Sequence, residues 1–345
     1  MDSFRACVNP RNPPYWGERE SLDPPTVMDR SPSLQPLVAP LRAEVLSGAS
    51  VVARMASDAI ARGADRAVAE SVAEFRASIA DLGIRILDAQ PAMAPLVALL
   101  GAVLDAMDGA EDVSAARSAA RRAALAFRES LEIHARTLAQ RTAVLLPEEG
   151  MVLTLSSSSA VRDALLHPAR PRRLEVVVLE SRPLQEGQLL AAALARHRVP
   201  VTVAVDAAAA TLASRSSMVL LGADSVGDLG VVNKLGSAAA AHAARRAGVP
   251  VMVSTDGSKI LPLGFPQHLA DDRPGEEVLR APAGVKVWNR YFEAVPVEDV
   301  TWIVTEAGVF GPEELARHRA GLHAPEEVRA WAAQRLRDHP DRSIR

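Results

Sequence analysis

The feature that most constrains this chain is a change of hydrophobic period at Pro147-Glu148-Glu149-Gly150. Before it, Leu37 to Leu146 is rich in alanine and other strong helix formers and lacks the alternation of a strand. After it, short apolar runs recur at Met151 to Leu155, Leu174 to Leu179, Val199 to Val205, Met218 to Leu221, Val249 to Val253 and Thr301 to Val304. Helix-compatible stretches such as Gln185 to His197 and Ala238 to Ala247 separate most of these runs. Buried apolar strands alternating with helices predict a parallel sheet covered on both faces and built by right-handed crossovers. The expected fold class is α/β, with an N-terminal helical bundle followed by a doubly wound parallel sheet.

Four segments follow. Residues 1–36 carry Pro10, Pro13, Pro14, Pro24, Pro25, Pro32 and Pro36 among polar neighbours and read as a disordered arm. Residues 37–146 read as the helical domain, with Gly48, Gly63, Gly83 and Gly109 separating helices and Pro91 and Pro95 opening or kinking one of them. Within it Phe127, Leu131, His134 and Leu138 share one helix stripe, so His134 reads as a packed histidine rather than a ligand. Residues 147–310 form the sheet domain, and 311–345 a helical tail. In that tail Leu315, Leu322, Val328, Trp331 and Leu336 are apolar anchors, either for the tail's own domain or for a partner in an oligomer.

A net charge of −3 and a pI near 6.3 argue against direct nucleic-acid or membrane adhesion, both of which favour a basic face. No apolar run reaches the roughly 18–20 residues of a membrane span, and no signal-peptide pattern opens the chain, so a cytoplasmic protein is expected. The single cysteine, Cys7, rules out a disulfide framework, and the eight histidines lack metal-site spacing. No metal and no cofactor is expected. The dinucleotide fingerprint GxGxxG is missing after the first strand, so the fold alone does not imply an oxidoreductase.

Chemistry in such a sheet belongs at the carboxyl ends of its strands. The first ends in Thr154 and the run Ser156 to Ser159, whose amides and hydroxyls suit an anion where a helix begins, or simply cap that helix. The second is followed by Glu180-Ser181-Arg182-Pro183, in which Arg182 suits a phosphate or a structural ion pair. Asp206 follows the third, and Ser254, Thr255 and Lys259 the fifth. The fourth ends at Gly222 and delivers Asp224, with a glycine-bearing loop leading to Asn233-Lys234. Arg182, Asp224, Asn233 and Lys234 at one edge would suit a phosphorylated small polyol.

Three ordered stretches carry a resemblance: ESRPLQEG at Glu180 to Gly187, LLGADSVGDLGVVNKLG at Leu220 to Gly236, and NRYFEAVPVEDVTWIVTEAG at Asn289 to Gly308. Together they resemble the family that unites the alpha, beta and delta subunits of translation initiation factor 2B with methylthioribose-1-phosphate isomerase and ribose-1,5-bisphosphate isomerase. The likeness extends more weakly to Leu46 to Ile60 and Asp88 to Leu100. It implies a helical domain on a Rossmann-like domain, a phosphosugar pocket between them, and dimerisation through the C-terminal domain, hence a homodimer or higher homo-oligomer. In the isomerases a cysteine and an aspartate exchange protons with an opened aldose 1-phosphate to give a ketose. The aspartate maps onto Asp224, and the Asn-Lys pair onto Asn233 and Lys234.

The chain departs from the isomerase pattern in three places. The cysteine position reads Ser156, and serine is a far weaker acid than cysteine. The early loop has Ser47 before Gly48-Ala49 where the isomerases carry an arginine, and the loop from Asp224 to Asn233 is one residue short. The expected site therefore comprises Asp224 and Ser156 as catalytic positions, with Arg182, Asn233, Lys234, Gly48, Ser47 and Ser157 holding the ligand. The expected function is binding of a phosphorylated sugar or nucleotide without isomerase turnover of the family's kind. The alternatives are a divergent aldose-ketose isomerase using Asp224, alone or with Ser156, and a structural partner in an oligomer.

Overall fold

A computed structural model describes residues 34–44, 48–168, 173–269 and 272–338. Five helices are described in the N-terminal half: α1 (Gln35–Ala43), α2 (Ala49–Arg66), α3 (Val72–Ala89), α4 (Ala94–Asp105) and α5 (Val113–Leu145). The first thus begins two residues before the expected boundary. Local capping sets two starts: Ser71 Oγ accepts the Glu74 N–H before α3, and Asp112 Oδ1 accepts the Ala115 N–H before α5. Ala116, Ala120 and Ala124 recur every four residues along α5 and are fully buried, giving it a flat stripe that packs against α2.

Gly63 and Gly83 do not separate helices, as their spacing suggests; they lie inside α2 and α3. A Cβ on Gly63 would overlap Leu82, and one on Gly83 would overlap Leu100. Close helix packing therefore offsets the ~1 kcal/mol by which glycine disfavours a helix interior.

The second half runs β1 (Glu149–Leu155), α6 (Ser159–Leu166), β2 (Arg173–Leu179), α7 (Glu186–Arg196), β3 (Val201–Ala204), α8 (Ala209–Ala213) and β4 (Met218–Leu221). It continues through β5 (Ser225–Gly227), β6 (Gly230–Lys234), α9 (Ser237–Arg246), β7 (Val251–Ser254), β8 (Phe292–Val295), β9 (Trp302–Val304) and β10 (Val309–Phe310). The helices α10 (Pro312–Ala320) and α11 (Glu326–Asp338) follow.

Seven strands form one sheet in the order β10-β9-β7-β4-β1-β2-β3, parallel except for the antiparallel pair of β10 with β9. From β1 the chain winds outward through β2 and β3, then returns to place β4 on the other side of β1. That reversal opens a crevice at the carboxyl ends of β1 and β4, where ligands of doubly wound sheets bind.

The stretch between Asp224 and Asn233 differs from the glycine-bearing loop that its composition suggests. It is a hairpin of β5 and β6, closed at the pair Gly227 and Gly230, and widened by β8 into a small antiparallel sheet. Val226, Val231, Val232 and Val295 are all fully buried in this sheet. Gly230 has φ +105°, and a Cβ there would overlap the Val295 carbonyl, so the tight turn needs glycine. Asn233 and Lys234 consequently sit on a strand, opposite Glu293 and Phe292.

The tail packs on its own chain. Val328 and Trp331 belong to the core of the helical half, Trp331 Nε1 donates to Asp88 Oδ1 at 2.9 Å, and Arg76 Nε donates to Glu327 Oε1 at 2.8 Å. Buried in this way, Val328 and Trp331 are not free anchors for a partner. Among the described residues no helix is long and apolar enough to cross a membrane.

Candidate functional site

The crevice holds a cavity of about 260 Å³, a size for a small ligand. Ser156, Ser157 and Ser158 line it from the end of β1, Asp224 from the end of β4, and Asn233 and Lys234 from β6. Gly48 and Ala49, at the start of α2, close it from the helical half.

Asp224 is pinned where the two halves meet. Its N–H donates to the Val232 carbonyl at 2.9 Å, and its carbonyl accepts the Ala94 N–H at 3.3 Å. Burial pushes its carboxyl pKa up, and the charge of Glu186 adds to this. Lys259, Lys234 and the Ala49 N–H at the start of α2 oppose the shift without cancelling it. The site thus favours Asp224 as the protonated acid, a group able to donate a hydrogen bond or a proton.

Beside it lies a satisfied pair. Lys234 Nζ donates to Glu186 Oε1 at 2.6 Å, with both side chains buried, and stands 4.7 Å and 5.1 Å from the Tyr291 and Phe292 ring centres. Glu186 Oε2 is buried and has no hydrogen-bond partner. Tyr291 Oη donates to Glu277 Oε2 at 2.6 Å, and burial followed by that bond drives the phenol well above its ordinary pKa. Lys259 Nζ donates to the Ala223 carbonyl at 2.7 Å, and Asn233 Nδ2 to Ser237 Oγ at 2.9 Å.

The opposite wall is less committed. Ser156 has φ +61°, a left-handed conformation that turns the chain sharply off β1, and its N–H donates to Ser181 Oγ at 2.8 Å. Ser158 then caps α6, its Oγ accepting the Val161 N–H at 3.4 Å. The N-terminus of α6 and Arg162 line this side of the cavity, which suits an anion. Arg273 also lines the cavity; its guanidinium stands 4.8 Å from the Tyr291 ring centre, and its buried Nε has no hydrogen-bond partner.

Residues 45–312 match the model of the initiation factor 2 subunit family. The chain belongs to that family. It is 32% identical over 310 residues to a ribose 1,5-bisphosphate isomerase of Haloterrigena turkmenica, covering 83% of this chain and 94% of that one. It is 37% identical over 160 residues to a methylthioribose-1-phosphate isomerase of Gloeobacter violaceus, covering 43% of this chain and 46% of that one. Among solved structures, translation initiation factor eIF-2B of Pyrococcus horikoshii OT3 superposes with a TM-score of 0.69 at 25% identity, covering 81% of this chain and 97% of that one.

In this initiation factor 2 subunit family member the cavity gathers Asp224, Ser156, Asn233, Lys234, Gly48 and Ser157, six of the positions expected from sequence. Arg182 does not join them. Its N–H donates to Asp206 Oδ2 at 2.7 Å and its Nη2 to the Val278 carbonyl at 3.2 Å, so it braces an exposed loop. Ser47 lies outside the described residues.

Sequence reasoning missed Glu186, Arg162, Arg273 and Tyr291 as cavity residues. Glu186 and Tyr291 fall inside the stretches that carry the family likeness, which was the available signal. Arg273 lies outside every periodic element, so only the loop's path brings it in.

Proposed function

We propose that the cavity binds a small phosphorylated sugar, with the sugar's oxygens against Asp224 and its phosphate against the start of α6 and Arg273. The observation that carries this reading is the contrast between a half-buried, proton-favouring Asp224 and an unpartnered Arg273 Nε in the same small cavity. A hydrogen-bond donor for a hydroxyl or carbonyl and a guanidinium for a phosphate are the groups such a ligand needs. The relatives named as isomerases of ribose 1,5-bisphosphate and methylthioribose-1-phosphate support the ligand class.

In this reading the protein is a binding protein without isomerase turnover of the family's kind. The residue facing the ligand at the end of β1 is Ser156, whose hydroxyl is too weak an acid to exchange a proton unaided. Its N–H is committed to Ser181, and no described base is hydrogen-bonded to its hydroxyl. The second reading, slow isomerisation with Asp224 as the proton-transferring group, draws on the raised pKa of that carboxyl, a hallmark of general acids.

A thermal-shift panel of ribose 1,5-bisphosphate, methylthioribose-1-phosphate and free ribose tests the reading. A phosphorylated sugar at a hundredfold its Kd should stabilise the fold by about 2.7 kcal/mol, and free ribose should not. Conversion followed by NMR separates the two readings: none is expected, whereas conversion that is lost in Asp224→Asn would favour the second.

A further inference from the structure

On the far side of the turn that carries Lys259, three side chains from separate elements converge. His134 comes from α5, Asp256 from the end of β7 and Glu306 from the end of β9. His134 Nδ1 stands 3.3 Å from Asp256 Oδ2 and 3.5 Å from Glu306 Oε1, and one ligand atom of each residue falls within 4.8 Å of the others. The stripe position of His134 suggests packing in a core, but its side chain is 35% exposed and turns to the two carboxylates.

Four observations bear on what fills this space. His134 Nδ1 is shielded from solvent and makes no hydrogen bond, so neither contact has the alignment of an imidazolium donating to a carboxylate. The Asp256 side chain is more than nine-tenths buried, with Oδ2 turned to that nitrogen. Each carboxylate is oriented by a backbone donor on its other oxygen: Asp256 Oδ1 accepts the Ser258 N–H and Glu306 Oε2 the Gly257 N–H, both at 2.9 Å. Such outer bonds are how metal ligands are aimed. Finally, metal–ligand bonds of ~2.1 Å in a tetrahedron set neighbouring donor atoms ~3.4 Å apart, which matches the two N···O separations.

We propose that His134, Asp256 and Glu306 form a divalent transition-metal site, with zinc as the best-fitting ion and water in the fourth position. One imidazole nitrogen with two carboxylate oxygens suits zinc or its first-row neighbours, whereas calcium and magnesium need more oxygen donors. The ion neutralises two carboxylates held at close range. It also fastens α5 to Gly257, Ser258 and Lys259, and hence to the Ala223 carbonyl beside Asp224. The site is separate from the sugar cavity, so its test does not depend on the sugar ligand.

The experiment uses the full chain, stripped with a chelator and titrated with zinc by calorimetry and with cobalt by visible absorption. The expected result is one saturable site per chain, a tetrahedral cobalt spectrum and a melting point raised by zinc. Affinity should fall at least about tenfold in His134→Ala and in Glu306→Gln, and stay unchanged in His197→Ala and Cys7→Ser. Should His134→Ala fold poorly by circular dichroism, Glu306→Gln and the wild-type cobalt spectrum decide. No saturable binding, equal affinity in the folded variants, or an equal melting-point rise with magnesium would overturn the assignment.

Discussion

Two carboxylates, Glu186 buried and Asp224 half-buried, face the same cavity and are treated in opposite ways. Glu186 on α7 has a cation at 2.6 Å, the Lys234 ammonium, which two aromatic rings flank. Asp224 after β4 has no cation at contact distance: Lys259 and Lys234 act on it only through space, and burial wins. One carboxylate is therefore paired with a cation, and the other is shifted towards its protonated form. The lesson is that Lys234 is held by the protein itself, which is why the proposed ligand contacts fall to Asp224 and Arg273.

Breaking the locked pair should have the largest effect. Glu186→Ala or Lys234→Ala leaves a buried charge without its partner and should cost about 3–5 kcal/mol in urea unfolding. The double variant Glu186→Leu/Lys234→Met should recover most of that loss, because an apolar pair of similar volume needs no compensation.

Arg273→Ala comes next. It should weaken a phosphorylated sugar by about 1.5–3 kcal/mol in calorimetry, the usual worth of a hydrogen bond to a charged group, while leaving free-protein stability nearly unchanged.

A partly exposed counterpart sharpens the comparison. Glu327 pairs with Arg76, whose hydrogen bond holds its carboxyl below the ordinary value of 4.5. Because the folded pKa is depressed, this pair stabilises the protein above pH 4.5, and the contribution is lost as pH falls through the depressed pKa. Glu327→Gln should cost only ~1 kcal/mol at neutral pH, since water screens a partly exposed pair.

Asp224→Asn should act on the free protein with the opposite sign. A carboxyl raised by burial contributes most below its ordinary pKa of 3.8, and that contribution is lost as pH rises through the folded value. Asparagine does not ionise, so the variant should melt above the wild type at neutral pH, with the difference closing towards pH 3.8.

Much of the fold was legible in the residues. Apolar runs such as Met218 to Leu221 give buried parallel strands, and the family likeness at Leu220 to Gly236 brings Asp224, Asn233 and Lys234 together. The hairpin of β5 and β6 was hidden because a three-residue strand between glycines has no period to read. Gly63 and Gly83 misled for a related reason: a glycine that admits a neighbouring leucine looks the same in sequence as one that ends a helix. Within the site, the partner of Lys234 stands 48 residues away, and Arg273 arrives on an irregular loop. Arg182 after its strand suited either a phosphate or a structural ion pair, and sequence could not show that Asp206 and the Val278 carbonyl engage it.

The most direct test of the account is the melting point of the wild-type protein at neutral pH, titrated with ribose 1,5-bisphosphate and with ribose, and with the same samples followed by phosphorus NMR. The account predicts a saturable rise with the phosphorylated sugar alone and an unchanged phosphorus spectrum. No rise with any phosphorylated sugar would contradict it.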